Sequence, residues 1–262
     1  MCLRAEIENE SSRYRGTEPL TESVEKTATG AILYDKSIIN QISADLFAAQ
    51  GWAHSELLSG NLGSGGRGNT YFVGHVPRQF VLRHFRRGGL ISKLVHDQYF
   101  WRGEVNTRSF AEWRMLAKMA EHDLRVPRPA AAMYTQQGTF YTADIITVRI
   151  PGVRPLSDII AEAPQDADFW AELGAAIHHF HDVGVFHADM NAYNLQIDTD
   201  GHLWMLDFDR GRLLQPGPWQ QKTLQRLHRS LQKISLLDPT IDFHTAQWEA
   251  LLEGYFSASR SE

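Results

Sequence analysis

Residues 187–194 read HADMNAYN, and thirteen positions past the last of these the chain reads DFD, residues 207–209. Both are polar islands among apolar residues. Upstream, DFWAELGAAIHHFHDVG (168–184) has the spacing of a helix. Between the islands, NLQID (194–198) and HLWML (202–206) read as two short strands joined by Thr199-Asp200-Gly201. A hairpin this short returns the chain beside its start, so Asn194 and Asp207 are expected to meet. Amide and carboxylate oxygens on adjacent strand ends make a hard-oxygen site, suited to Mg²⁺ already held by phosphates. Asp189 can then face the same cavity and accept the proton of a substrate hydroxyl. Phosphoryl transfer asks for this arrangement, because positioning and charge neutralisation do nearly all of its catalysis. The alternative reading is a pair of capped turns.

The rest of the chain bounds what such a site can serve. Its 262 residues, 43% hydrophobic, suffice for one large domain or two modest ones with a real core. A net charge of −5 leaves no basic excess for a binder held by nucleic-acid phosphates, so no nucleic-acid partner is expected. One cysteine, Cys2, excludes a disulfide framework or a Cys-based zinc site and fits a reducing cytoplasm. His178, His179 and His181 lack acidic or Cys partners at ligand spacing, so zinc is not expected there. No secretory signal and no apolar run long enough to span a bilayer is seen, which leaves the membrane surface open but not its interior.

Residues 1–28, rich in Glu, Ser, Thr and Arg, read as a flexible N-terminal tail. AILYD (31–35) predicts a strand, and ISADLFAAQGW (42–52) a helix with Ser43 as N-cap. The glycine cluster NLGSGGRGNTYFV (61–73) leads into FVLRHF (80–85), a hairpin turning near His75 to Gln79. Residues 86–107 lack clean periodicity and read as an insertion. SFAEWRMLAKMAEHDL (109–124) predicts a helix capped by Ser109, with Phe110, Trp113, Leu116, Ala117 and Ala120 on its buried face and Glu112 one position away. Strands are expected over 134–141 and 143–149 around Gln137-Gly138, then a linker, RIPGVRP (149–155), that marks the domain boundary. The last fifty or so residues read as mostly helical, Trp219 to Leu237 most clearly.

H-x-D-x-x-x-x-N followed by D-F-x resembles the catalytic loop and metal motif of the protein-kinase-like fold. The resemblance implies an α+β, two-lobed architecture, with a small β-rich N-lobe (29–150) and a reduced helical C-lobe (151–262). It implies Asp189 as catalytic base, Asn194 and Asp207 as magnesium ligands, and His187 as support for the loop. Gly63, Gly65, Gly66 and Gly68 satisfy G-x-G-x-x-G before a strand pair rather than before a helix, which favours a kinase phosphate loop over a dinucleotide fold. A second register, Gly66-Arg67-Gly68 closed by Tyr71 and Phe72, is equally good. Arg83 stands where kinases carry a phosphate-pairing Lys, with Glu112 as its ion-pair partner; an ordinary strand-end Arg is the alternative. Asp209 replaces the glycine of D-F-G and is read as pairing with Arg210 or Arg212. No A-P-E and no long activation segment follows, so the platform for a protein substrate is missing.

GRGNTYFV (66–73), VLRHFRRGG (81–89), RIPGVRP, HADMNAYN and DFDRGR (207–212) together resemble the lipopolysaccharide kinase family, over roughly residues 30 to 235. The overall likeness is strongest to the branch acting on 3-deoxy-D-manno-octulosonic acid (Kdo). That branch implies ATP- and Mg²⁺-dependent phosphorylation of the Kdo 4-hydroxyl on a Kdo-bearing lipid A precursor, in inner-core synthesis at the cytoplasmic face of the inner membrane. Arg83, His84, Arg86 and Arg87, followed by Leu90, Ile91, Leu94, Val95, Tyr99, Phe100 and Trp101, suit lipid head groups or a core-packed insertion equally well. A heptose or other small-molecule kinase of the same fold, and a nucleotide-binding pseudokinase, are the competing readings.

Overall fold

The computed structural model describes residues 20–58, 70–75, 78–86 and 97–259. The fold is mixed α/β, with thirteen strands and five α-helices among the described residues. They divide into two compact units, the first ending at Ile150 and the second resuming at Pro151.

The first unit is an antiparallel sheet with one helix. Its strands are β1 (Glu22–Lys26), β2 (Gly30–Asp35), β3 (Ser55–Leu57), β4 (Thr70–His75), β5 (Arg78–His84), β6 (Tyr99–Phe100), β7 (Pro129–Gln137) and β8 (Phe140–Val148); the helix is α1 (Arg108–Glu121). The order across the sheet is β1-β2-β7-β8-β5-β4-β3, with β6 against the end of β8. Gln137 pairs with Phe140, and Gly138 at φ +60° supplies the left-handed residue that a two-residue hairpin turn needs. β7 begins at Pro129, earlier than the strand predicted from Tyr134. Ala130, Ala131 and Ala132 are wholly buried there, and alanine's weak strand propensity concealed them.

Two other expectations are corrected. Within the supposed tail 1–28, Glu22–Lys26 is β1, paired residue for residue with β2 from Glu22↔Asp35 to Lys26↔Ala31. An edge strand is held by main-chain bonds and needs few apolar side chains, so its composition does not betray it. Asp35, fully buried, closes this hairpin by accepting from Thr21 N at 3.1 Å, Ser37 N at 2.9 Å, Ser37 Oγ at 2.8 Å and Arg128 Nη2 at 3.0 Å. The helix predicted over 42–52 is instead two 3₁₀ turns, Ala44–Phe47 and Ala49–Gly51, and Ser43 makes no side-chain cap. Phe47, with Ile38, Ile42, Leu46 and Trp52, lies on Ile32, Val73, Phe80, Leu82 and Ile146 of the sheet. Burying those side chains outweighs the few tenths of a kcal/mol per residue that helix propensity offers.

Helix α1 packs on β7 and β8. Phe110, Trp113, Leu116 and Ala117 are buried, as are Glu112, Met115 and Met119, whereas Ala120 is only half-buried. Ser109 is not the cap: the helix starts after Thr107, and Ser109 Oγ donates to Met133 O at 2.8 Å, tying the helix to β7. In the stretch read as an insertion, residues 87–96 lie outside the described residues. Tyr99 is buried, and Trp101 stacks obliquely on Tyr134, 5.0 Å between ring centroids.

The second unit contains β9 (Arg154–Pro155), α2 (Leu156–Glu162), α3 (Ala167–Asp182), β10 (Val185–Phe186), β11 (Leu195–Ile197), β12 (Leu203–Met205), β13 (Arg212–Leu213), α4 (Trp219–Leu237) and α5 (Thr245–Ala258). The end of the supposed linker RIPGVRP is structured: β9 pairs with β11, which pairs with β12. Asp166 caps α3 by accepting from Phe169 N at 2.9 Å. α3 lies against α5 at a crossing made by Gly174 and Gly254, with main chain against main chain.

Candidate active site

The second unit carries the loop from Phe186 to Leu195 and the hairpin that follows. Gly184, at φ +88°, ends α3 where a Cβ would stand 2.3 Å from Leu214 O, and β10 then pairs with β13. The loop is anchored by burying Met190 and Ala192 completely. Its shape comes from side chains bonded to its own main chain. Asn191 Oδ1 accepts from Tyr193 N at 2.9 Å and Asn194 N at 3.1 Å, and Asn191 Nδ2 donates to Asp189 O at 2.9 Å.

His187 joins the two polar islands. It is wholly buried; its Nδ1 accepts from Asp189 N at 3.1 Å, so the proton sits on Nε2, which donates to Leu206 O at 2.8 Å. The ring also lies 4.9 Å from that of Phe208. One neutral imidazole therefore fixes the loop to the residues on either side of Asp207. Burial holds its pKa below the usual histidine value, although the Leu206 carbonyl, Asp207 and Asp189 pull the other way.

Asn194 and Asp207 sit at the two ends of the β11–β12 hairpin. Leu195 pairs with Met205, and Leu206 N donates to Asn194 O at 2.9 Å, one residue before Asp207. Asn194 Nδ2 donates to Asp189 O at 2.9 Å, which orients the amide so that Oδ1 is its remaining donor atom. Asp207 has φ +62°, a left-handed conformation that Asp tolerates better than most residues. A side-chain amide oxygen and a carboxylate are hard oxygen ligands of the kind that could hold Mg²⁺.

Asp189 is gripped by a residue that the sequence did not single out. Arg226, on α4, donates Nε to Asp189 Oδ1 at 2.9 Å, and its Nη2 contacts the same oxygen. Neighbouring positions on α4 also reach this region: Ser230 Oγ accepts from Ala192 N at 3.2 Å, and Thr223 Oγ1 bonds His181 Nε2 at 3.1 Å.

In the first unit, Arg83 Nη2 lies 2.5 Å from Glu112 Oε1, with the Glu112 side chain only 4% exposed and the Arg83 side chain 24%. The Arg83 guanidinium also lies over the Phe85 ring at 4.6 Å. Gly63, Gly65, Gly66 and Gly68 lie outside the described residues, as does Arg87.

These motifs coincide with a match over residues 55–255 to the lipopolysaccharide kinase (Kdo/WaaP) family. The chain belongs to this family. It is accordingly an enzyme of the kinase class. A protein of Stenotrophomonas maltophilia (strain R551-3), called 3-deoxy-D-manno-octulosonic acid kinase, is 44% identical over 222 residues, covering 84% of this chain and 88% of its own length. Proteins with the same name from Xanthomonas campestris pv. campestris (strain B100) and Xanthomonas oryzae pv. oryzae (strain PXO99A) are 41% and 39% identical over the same shares.

On α3 of this lipopolysaccharide-kinase-family chain, His181 is buried and serves packing. His181 spends Nδ1 on Tyr255 Oη at 2.8 Å and Nε2 on Thr223, and burial pushes its pKa down to about 3. Its stabilising contribution is therefore complete above the unfolded value of about 6.5 and is lost as pH falls through the window down to about 3. By about pH 5 the loss from His181 is about 2 kcal/mol, and His187 acts in the same direction. His84 opposes them: its bond to Asp144 at 2.6 Å raises its pKa, so its contribution is full below about 6.5 and is lost as pH rises through the raised value. Resistance to urea, followed by unit-two probes, is expected to fall from about pH 7.5 to about pH 5, and His181→Gln should flatten that dependence. An unchanged slope in the variant would contradict the assignment.

Proposed function

We propose that this chain transfers the γ-phosphoryl group of ATP to the 4-hydroxyl of a Kdo residue on a Kdo-bearing lipid A precursor, in lipopolysaccharide inner-core synthesis. The observation that carries the proposal is the Asp189–Asn194–Asp207 geometry, in a chain 44% identical to a protein called 3-deoxy-D-manno-octulosonic acid kinase. We read the fold as a two-lobed kinase, with the sheet unit as N-lobe and the helical unit as C-lobe. Asn194 Oδ1 and the Asp207 carboxylate would hold Mg²⁺, which when bound neutralises charge on the phosphates. Arg83, steadied by Glu112, would pair with a phosphate, and the Gly63, Gly65, Gly66 and Gly68 motif, outside the described residues, is proposed as the phosphate-binding sequence.

The acceptor hydroxyl oxygen forms a bond to the γ-phosphorus as the bond to the ADP oxygen breaks. The hydroxyl proton passes to Asp189, and ADP departs. Asp189 is suited to this because its main chain is fixed on three sides, its N–H by His187 and its carbonyl by Asn191 and Asn194. The pKa of His187 is held low, so the histidine stays neutral and leaves proton transfer to the carboxylate. ¹H–³¹P correlation spectroscopy of the product tests the position. A cross-peak to the proton on C4 of Kdo is expected, and one to any other carbinol proton would reject the 4-hydroxyl.

Among the described residues no helix is long and apolar enough to cross a membrane. Attachment to the cytoplasmic face of the inner membrane is proposed to run through the first unit. There Phe100 is 59% exposed, edge-on to Phe140 at 5.6 Å, and Val105 is 65% exposed. Arg86 is exposed as well. Apolar tips together with a cation suit an anionic bilayer surface. Phe100→Ser combined with Arg86→Glu should lower co-sedimentation with anionic phospholipid vesicles several-fold. Undiminished co-sedimentation would remove this surface from the account.

A further inference from the structure

We propose that Arg226 is a positioning residue for the transfer, acting through Asp189; the inference rests on the reading of Asp189 as the proton acceptor. Residues 187–194 contain neither Lys nor Arg, so the loop supplies no cation of its own to orient its carboxylate. Asn191 cannot orient it either, since both ends of its side chain are spent on loop main chain. All the loop bonds described above fix the backbone of Asp189 and leave its side-chain torsions to another group. Arg226 supplies such a contact, with two N–H donors converging on Oδ1.

The geometry of α4 makes this a built contact rather than a chance surface pair. Thr223, Arg226 and Ser230 follow one another at helical spacings of three and four, so they share one polar stripe. Each meets the same neighbourhood: Thr223 the buried His181 at the end of α3, Arg226 the carboxylate of Asp189, and Ser230 the main chain at Ala192. Beside it, Leu224, Leu227 and Leu231 form a parallel apolar stripe that is buried and fixes the rotation of the helix. The guanidinium is thereby delivered from a rigid element. Its planar fork approaches the carboxylate with two donors, which a lysine ammonium cannot reproduce with the same directionality.

A carboxylate so held presents its proton-accepting oxygen to the hydroxyl in one orientation. A misplacement of about 1 Å can cost about 10²-fold in rate. Removing Arg226 leaves the Asp189 carboxylate behind, and its side chain, 24% exposed, is within reach of solvent, so the fold is expected to survive.

The test is steady-state kinetics of Arg226→Ala and Arg226→Lys with ATP and the Kdo-bearing acceptor, beside wild type and Asp189→Asn. Arg226→Ala should lower kcat by about 10–10²-fold with KM for ATP unchanged. Arg226→Lys should recover part of the loss, and added guanidinium at low millimolar concentration should partly rescue the Ala variant alone. In the Asp189→Asn background the second substitution should cost nothing further, because two residues acting as one unit are not additive. Wild-type kcat in a folded Arg226→Ala enzyme would overturn the proposal, as would losses that simply multiply in the double variant. If the Ala variant does not fold, a Lys variant of wild-type kcat overturns it instead. Failure of the functional reading is distinguishable, since wild type itself would then phosphorylate no Kdo acceptor.

Discussion

Asp189→Asn is expected to lower kcat by about 10²–10⁴-fold, the usual contribution of a positioned general base. Asparagine has nearly the same shape, and the bonds that form the loop use the N–H and carbonyl of residue 189, not its side chain. The loop should therefore keep its conformation while losing the group that takes the proton. Arg226 loses its anionic partner but is half-exposed and can be solvated. Stability and nucleotide affinity should change little, which separates this effect from that of a damaged fold. Steady-state rates, nucleotide titration and thermal unfolding on the same preparation check all three. Full turnover by the Asn variant would remove Asp189 from the chemistry.

Gly254→Ala should be the most damaging small substitution in the second unit. In an isolated helix the change would stabilise by about 1 kcal/mol, because alanine is the better helix former. At the α3–α5 crossing an added Cβ would stand 1.9 Å from Ala171 O and 2.5 Å from its carbonyl carbon. Main-chain atoms of a packed helix cannot rotate away as a side-chain tip can, so the helices must separate. Gly174 meets the same obstacle from the other side, 1.9 Å from Leu251 O. Overpacking at the upper end of its range, about 3 kcal/mol, exceeds the propensity gain and leaves a net loss of about 2 kcal/mol. The two effects have opposite signs, so urea unfolding decides between them; a stabilised variant would mean that the helices do not approach this closely.

The loop and hairpin that carry Asp189, Asn194 and Asp207 were legible because three polar identities at fixed offsets stand in an otherwise apolar stretch, in a helix–loop–hairpin order that leaves few ways to fold. The side chain that orients Asp189 was not legible. Arg226 lies on α4, whose periodicity announces only the buried stripe of Leu224, Leu227 and Leu231. One surface arginine of a helix resembles any other until the helix is known to lie on the loop. Asn191 was passed over because an Asn inside a motif reads as filler, although its side chain makes three of the bonds that shape the loop.

In the sheet unit the errors share a cause. Residues 42–52 have the composition of a helix, yet the face of β2, β4, β5 and β8 needs covering, and that tertiary demand draws the segment into 3₁₀ turns. Strand β1 carries Glu22, Glu25 and Lys26 and looks like tail until its partner β2 is known. The Arg83–Glu112 contact was expected only through the resemblance to kinases; periodicity alone placed Glu112 one position off the buried face, whereas the residue is buried with its carboxylate on Arg83.

The most direct test of the central claim is transfer of labelled phosphate from ATP, with magnesium, to a Kdo-bearing lipid A precursor, beside a heptose-containing core acceptor and with Asp189→Asn as control. Labelling of the Kdo lipid by wild type, lost in the variant, is the predicted result. Labelling of the heptose acceptor alone, or of neither by folded protein that binds ATP, would contradict it.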